Sequence, residues 1–127
     1  MPDADPFTYT ILRVVPSVER GECVNVGVVL FCRQRGFLGI QVALDPERLR
    51  ALAPGVSVPE LAAHLEALVR VVDGEPGAGG VAALPPSERF GWLTAPSSTI
   101  VQASEVHTGL SADPARTLDA LFGRLVA

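Results

Sequence analysis

Charged side chains cluster at the start of the longest apolar segment of this 127-residue sequence, where they could act on a substrate. Glu19, Arg20 and Glu22 flank Gly21 at that point, and Arg13 lies in the apolar segment before it. A pair of carboxylates beside arginines suits acid–base catalysis or the binding of a phosphate or carboxylate. The alternative is an exposed ion-pair cluster, which contributes little to stability.

Asn25 is the one strongly polar side chain between Cys23 and Phe31. Because an unpaired buried amide costs about 1–3 kcal/mol, we expect this side chain to be hydrogen-bonded. Gly27 lies two residues further on and leaves space beside it. The pattern indicates either a small polar pocket or a buried amide that fixes the register of the strands.

A third group of polar side chains lies in the C-terminal half and contains Arg89, Ser98, Gln102 and His107. Histidine side chains exchange protons near neutral pH, so His107 is a candidate proton carrier. No Gly-x-Ser-x-Gly motif surrounds Ser98, which argues against a serine hydrolase of that type. The alternative for His107 is a loop histidine that is hydrogen-bonded to the backbone.

The composition argues against several classes of function. The net charge is −4 and all ten basic residues are arginines, which disfavours a surface for nucleic acid. The longest apolar run, residues 26–32, is far shorter than the roughly 20 residues that cross a membrane. No secretory signal is recognisable, so we expect a cytoplasmic location. Phosphate-loop, dinucleotide, EF-hand and His-Glu-x-x-His motifs are absent, so we expect no cofactor and no metal.

Three segments predict strands that would position these residues. Residues 9–15, 22–31 and 37–44 are rich in β-branched and aromatic side chains. The turns between them are short, so the three strands must run antiparallel. The segment 22–31 is apolar on both sides and is therefore predicted to be the interior strand.

Capping signals predict the helices. A helix is predicted to start at Asp-Pro, residues 45–46, and to end near residue 52. A second is predicted to start at Ser-x-x-Glu, residues 57–60, and to end near residue 72. A third is predicted to start at Asp-Pro, residues 113–114. Residues 91–94 and 99–102 predict a hairpin, followed by a loop over residues 105–109. The sequence therefore predicts an α+β fold, a mostly antiparallel sheet of about five strands with about three helices packed on one face. We expect residues 1–7 to form a flexible tail and residues 8–127 a single domain.

Turn lengths also predict a register. Across the first hairpin we expect Leu12 to face Asn25, and across the second we expect Gly27 to face Val42. The face that contains Leu12 is the one predicted to receive the helices. The other, second face is also apolar, with Ile11, Val24, Val26, Val28, Leu30 and Phe37.

Several strings of the sequence match a known family. Residues 9–16 read YTILRVVP, residues 19–30 read ERGECVNVGVVL, and residues 98–102 and 106–109 read STIVQ and VHTG. In these strings the chain resembles the bacterial DUF3037 family, a family of unknown function, over nearly its whole length. Members of the family are often encoded beside a HipA-like protein kinase. The resemblance therefore implies a kinase partner or an accessory role.

Two hypotheses about function stay open. The first is a non-enzymatic protein-interaction or accessory module, with a HipA-like kinase as partner. An apolar second face without a covering helix would be its contact surface, for a partner protein or for a second copy in a homo-oligomer.

The second hypothesis is a small enzyme or ligand-binding protein for an anionic substrate that carries a phosphate or carboxylate. Arginines would bind the charge, glutamates would act as acid and base, and the histidine would carry a proton. These side chains must then converge on one cleft at reacting distances of about 3 Å. The candidate residues are Arg13, Glu19, Arg20, Glu22, Asn25, Arg89, Ser98, Gln102 and His107.

Overall fold

The computed structural model describes residues 3–17, 19–95 and 100–126. These ranges contain five strands: β1 (Asp5–Ser17), β2 (Glu22–Cys32), β3 (Phe37–Val42), β4 (Val101–Ala103) and β5 (His107–Ser111). They also contain four α-helices: α1 (Pro46–Leu52), α2 (Val58–Val72), α3 (Pro86–Thr94) and α4 (Pro114–Leu125). A short 3-10 helix, Val81–Ala83, precedes α3. None of the described helices is long and apolar enough to cross a membrane.

The uniformly apolar segment predicted to be interior is the interior strand β2. It pairs antiparallel with β1 on one side and with β3 on the other. Val26, Val28, Val29 and Leu30 are fully buried in it. Because consecutive side chains of a strand point to opposite faces and these side chains are all buried, the sheet must be covered on both faces.

The outer side of β1 is shared by two short strands. Its N-terminal half pairs with β5 and its C-terminal half pairs with β4. Ser104 interrupts this outer strand, and its hydroxyl accepts a hydrogen bond from the Ile11 amide at 2.9 Å. The Thr10 hydroxyl donates to the Ser104 carbonyl at 2.8 Å. The antiparallel sheet of five strands is thus confirmed, with the order β3-β2-β1 and then β4 and β5 together.

The helices cover both faces rather than one. Helices α1, α2 and α3 pack on the first face, against Leu12, Val14 and Val29. Helix α4 packs on the second face, where its Leu118 and Leu121 join the apolar side chains of β1 and β2. The fourth helix is therefore the cover that the apolar second face of β2 requires.

The predicted register is confirmed in the second hairpin and differs in the first. Gly27 lies opposite Val42 as predicted. Leu12 lies opposite Gly27 rather than Asn25, and Arg13 lies opposite Asn25. The reason is two irregularities of this hairpin, a register shift between Val14 and Ser17 and a β-bulge in which Val26 is an extra residue without its own partner on β1.

Because of this bulge, two valines assigned to the second face are on the first. Val24 and Val26 pack with the helices of the first face. Asn25 lies between them and points the other way, toward α4, where its side chain contacts Leu125.

Two segments of the C-terminal half differ from their predicted structure. Residues 91–94, predicted as a strand, belong to helix α3, because Phe90 and Leu93 are spaced to pack on the first face. Residues 107–109, predicted as a loop, belong to strand β5. Its partner is the N-terminal half of β1, about 100 residues earlier in the chain.

The N-terminal end of β1 extends into the segment expected to be a tail. Asp5 pairs with Ser111 in the sheet. The Asp5 carboxylate forms an ion pair of 2.9 Å with Arg35, and Phe7 is buried. Residues 5–7 are therefore anchored to the domain.

Candidate functional site

Three of the candidate residues form a row across the sheet. Arg13 of β1 lies directly opposite Asn25 of β2 and opposite Gln102 of β4. All three point to the second face, as the contact of Asn25 with α4 shows. The Asn25 amide nitrogen donates to the Leu125 carbonyl at 3.1 Å, so the predicted hydrogen-bonded amide is confirmed. We call Asn25, Arg13 and Gln102 the polar row.

Arg13 is the unusual member of the polar row. Its side chain is half-buried, and its Nε is buried without a hydrogen-bond partner. The two ion pairs within the described residues are Arg20–Glu22 and Arg35–Asp5. A positively charged group therefore lies between two amides, and no carboxylate of the described residues forms an ion pair with it.

His107 lies on the same face as Arg13 but further along the sheet. It is opposite Tyr9, and the two rings are stacked with centroids 5.1 Å apart. Tyr9 and Arg13 are four positions apart on β1, which corresponds to roughly 13 Å along the strand. His107 and Arg13 are thus not neighbours across the sheet.

The charged residues at the first hairpin form a separate, exposed group. An Arg20 nitrogen lies 2.5 Å from a Glu22 oxygen, with side chains 73% and 40% exposed. Glu19 is exposed in the adjacent turn. Ion pairs of this kind contribute little to stability, which matches the surface interpretation of this cluster.

Arg89 lies on the other side of the sheet from the polar row. Its Nε donates to the Val72 carbonyl at 3.2 Å and its Nη1 donates to the Leu84 carbonyl at 2.6 Å. These bonds tie α3 to the C-terminal end of α2 on the first face. Ser98 lies outside the described residues. The structure therefore brings Arg13, Asn25 and Gln102 together but keeps Arg89, His107 and the Glu19–Glu22 turn apart from them.

A cleft that sequence reasoning missed opens on the first face, between α3 and the strands β1 and β5. It has a volume of about 500 Å³. Phe31 and Phe90 line it with stacked rings 5.7 Å apart, and the Arg33 guanidinium lies 5.7 Å from the centre of the Phe31 ring. The other lining residues are Pro6, Phe7, Thr8, Gln34, Ser87, Gly91 and Thr108. We call this the α3–β5 cleft.

An exposed apolar side chain extends the rim of the α3–β5 cleft. Leu110 is 71% exposed and lies two residues from Thr108 on β5, so both point to the first face. Its partner across the sheet is Pro6, which also lines the cleft. The sequence could not indicate this site, because its two walls were predicted as a strand and a loop.

Comparisons with known proteins identify a family but no activity. The family model described as "Protein of unknown function (DUF3037)" matches residues 9–126. This match confirms the resemblance seen in the sequence strings. No curated protein and no solved structure matches the chain.

Proposed function

Because this chain belongs to the DUF3037 family, whose function is unknown, we propose from its surface that it is a protein-interaction module that docks a partner at the α3–β5 cleft. The observation that carries this proposal is an open aromatic cleft beside Leu110, the most exposed of the large apolar side chains described. Protein interfaces are organised around apolar and aromatic anchors that fill such clefts.

The occupant that fits is an extended polypeptide segment with an apolar side chain next to an acidic one. The cleft volume suits one or two apolar side chains over Phe31 and Phe90. Arg33 forms no ion pair within the described residues, so a carboxylate on the partner would meet an available cation.

Backbone pairing would add to these side-chain contacts. Strand β5 pairs with β1 on one side, and no described strand pairs with its other side. A free strand edge offers amide and carbonyl groups to an added strand. An extended segment along β5 would place alternate side chains beside Thr108 and Leu110.

The family resemblance implies a HipA-like kinase as the partner. We retain this partner and the cytoplasmic location as parts of the proposal. The second face, which we expected to dock a partner protein or a second copy if no helix covered it, is covered over Val28, Leu30 and Phe37 by α4. The contact surface we propose is therefore the cleft on the first face.

Calorimetric titration of this chain with a HipA-like kinase tests the proposal. Leu110→Asp places a charge at the rim, and Gly91→Phe fills the cleft, because a Cβ at Gly91 would meet no atom within 4 Å. Leu84→Asp is the matched control, since Leu84 is an exposed apolar residue outside the cleft. We expect the wild-type chain and the control to bind equally, and the two cleft variants to bind at least tenfold more weakly.

Two negative binding results would contradict different parts of the proposal. A kinase that binds none of the four proteins would remove the proposed partner. A kinase that binds all four equally would remove the cleft as the contact surface. Selection of displayed peptides on the wild-type chain, with counter-selection on Gly91→Phe, tests the cleft independently of the kinase and should enrich sequences with adjacent apolar and acidic residues.

A further inference from the structure

We propose that Arg13 is the centre of a carboxylate-binding site on the second face of the sheet, separate from the α3–β5 cleft. The site consists of the polar row, with the Arg13 guanidinium in the middle and an amide side chain on the strand to either side.

The unsatisfied nitrogen of Arg13 is the first argument. A guanidinium carries five N–H donors, and buried donors in folded proteins are almost always hydrogen-bonded. The Nε of Arg13 is buried and has no acceptor. The side chain as a whole is only half-buried, so an external acceptor can approach the guanidinium, and a side-chain shift that brings Nε to this acceptor would relieve the cost.

The uncompensated charge of Arg13 is the second argument. The described ion pairs use Arg20 and Arg35, and both neighbours of Arg13 in the polar row are uncharged. The Asn25 side chain is held in place by its bond to the Leu125 carbonyl at the end of α4. A negatively charged ligand would therefore meet a cation on a rigid interior strand beside a fixed amide.

The chemistry of the polar row selects a carboxylate among anions. The planar guanidinium matches the two oxygens of a carboxylate with two parallel hydrogen bonds. The row contains a single positive charge, which neutralises a monoanion but leaves a phosphate dianion partly uncompensated. Tyr9 and Ile11 precede Arg13 on the same face of β1, so an apolar group attached to the carboxylate would lie against apolar neighbours.

Titration of the wild-type chain with sodium acetate and sodium benzoate tests the site directly. The readout is the Arg13 Nε–H resonance in nitrogen-15 NMR spectra, at ionic strength held constant with sodium chloride. We expect a saturable change in this resonance with both carboxylates. An unchanged resonance would overturn the proposal. Inorganic phosphate that saturates the site more tightly than either acid would overturn the carboxylate assignment.

Variants measured by thermal unfolding provide the second readout. Arg13→Gln should lose the stabilisation by benzoate, and Arg13→Lys, which keeps the charge without the forked geometry, should bind at least tenfold more weakly. Arg116→Gln, an exposed arginine of α4, is the control and should respond like the wild type. Equal loss in the Arg116 and Arg13 variants would show that charge alone is responsible, which contradicts a specific site.

The source of the carboxylate is decided by one further comparison. A capped tripeptide with a central glutamate carries the same group as benzoate on a polypeptide backbone. Tighter binding of benzoate indicates a free organic acid as ligand, and tighter binding of the peptide indicates an acidic side chain of a partner. Absence of binding by both would contradict the site itself.

Discussion

Arg13 lies directly opposite Asn25 across strands β1 and β2, on the face of the sheet that α4 covers in part. Simple counting along the hairpin places Leu12 there instead. The difference arises from two irregularities of the hairpin, a register shift between Val14 and Ser17 and the bulge at Val26 in β2. The bulge buries Val24 and Val26 with the helices of the first face and turns Asn25 toward the second. Two irregularities of the backbone thus create the polar row.

Replacing Asn25 by alanine should loosen the C-terminal end of α4. The variant loses the hydrogen bond to the Leu125 carbonyl, which corresponds to about 0.5–1.5 kcal/mol of unfolding free energy. Hydrogen exchange of the Val126 amide, which bonds to the Phe122 carbonyl, should become faster. Gln34→Ala, in an exposed turn, is the control. Wild-type exchange at Val126 in the Asn25 variant would show that this bond does not hold the helix end.

Gly109→Ala should destabilise the pairing of β5 with β1. A Cβ at this position would lie 2.6 Å from the Cζ of Phe7, whose buried ring must then move. We expect a loss of about 1–3 kcal/mol, measured by urea unfolding. Gly123→Ala, where a Cβ meets no atom within 4 Å, should not destabilise the protein. Combining Gly109→Ala with Phe7→Leu should recover part of the lost unfolding free energy. An unchanged urea midpoint for Gly109→Ala alone would contradict the close packing of Gly109 against Phe7.

Thr10→Val tests the junction between β4 and β5. The variant keeps the shape of the side chain but removes the fully buried hydroxyl that donates to the Ser104 carbonyl. We expect about 1–3 kcal/mol of destabilisation, because a buried acceptor loses its partner. Thr8→Val is the matched control on the same strand. The Ser104 hydroxyl lies 3.2 Å from the Thr10 hydroxyl, so Thr10→Val combined with Ser104→Ala should cost less than the two single effects together. Full additivity would argue against this contact between the two hydroxyls.

Arg89→Met tests whether Arg89 has a structural role or shares a ligand-binding site with Arg13. The change keeps the apolar stem but removes the two bonds to the Val72 and Leu84 carbonyls, for an expected loss of about 1–3 kcal/mol by thermal or urea unfolding. Because Arg89 lies on the first face, benzoate should still stabilise this variant as it does the wild type. Loss of that response would bring Arg89 back into a common site with Arg13.

The sequence alone determined the parts of the fold that local signals encode. β-Branched and aromatic composition predicted strands β1, β2 and β3, and the apolar character of both sides of β2 predicted its interior position. Turn length predicted the register of the second hairpin, in which Gly27 faces Val42. Capping residues predicted three helix starts, and the side chains of Asp45, Ser57 and Asp113 accept the expected backbone hydrogen bonds. These features depend on interactions between residues a few positions apart.

Tertiary structure decided the rest, because the stabilising partners are far away in the chain. Strand β5 exists as a strand because the N-terminal half of β1 pairs with it, and α3 is helical with Phe90 packed against Phe31 of β2. The bulge at Val26 changes the face of the sheet to which the neighbouring side chains point. Counting residues along the hairpin does not reveal this change. Which candidate side chains meet therefore depended on the two faces of the sheet: Arg13, Asn25 and Gln102 share one, and Arg89 lies on the other.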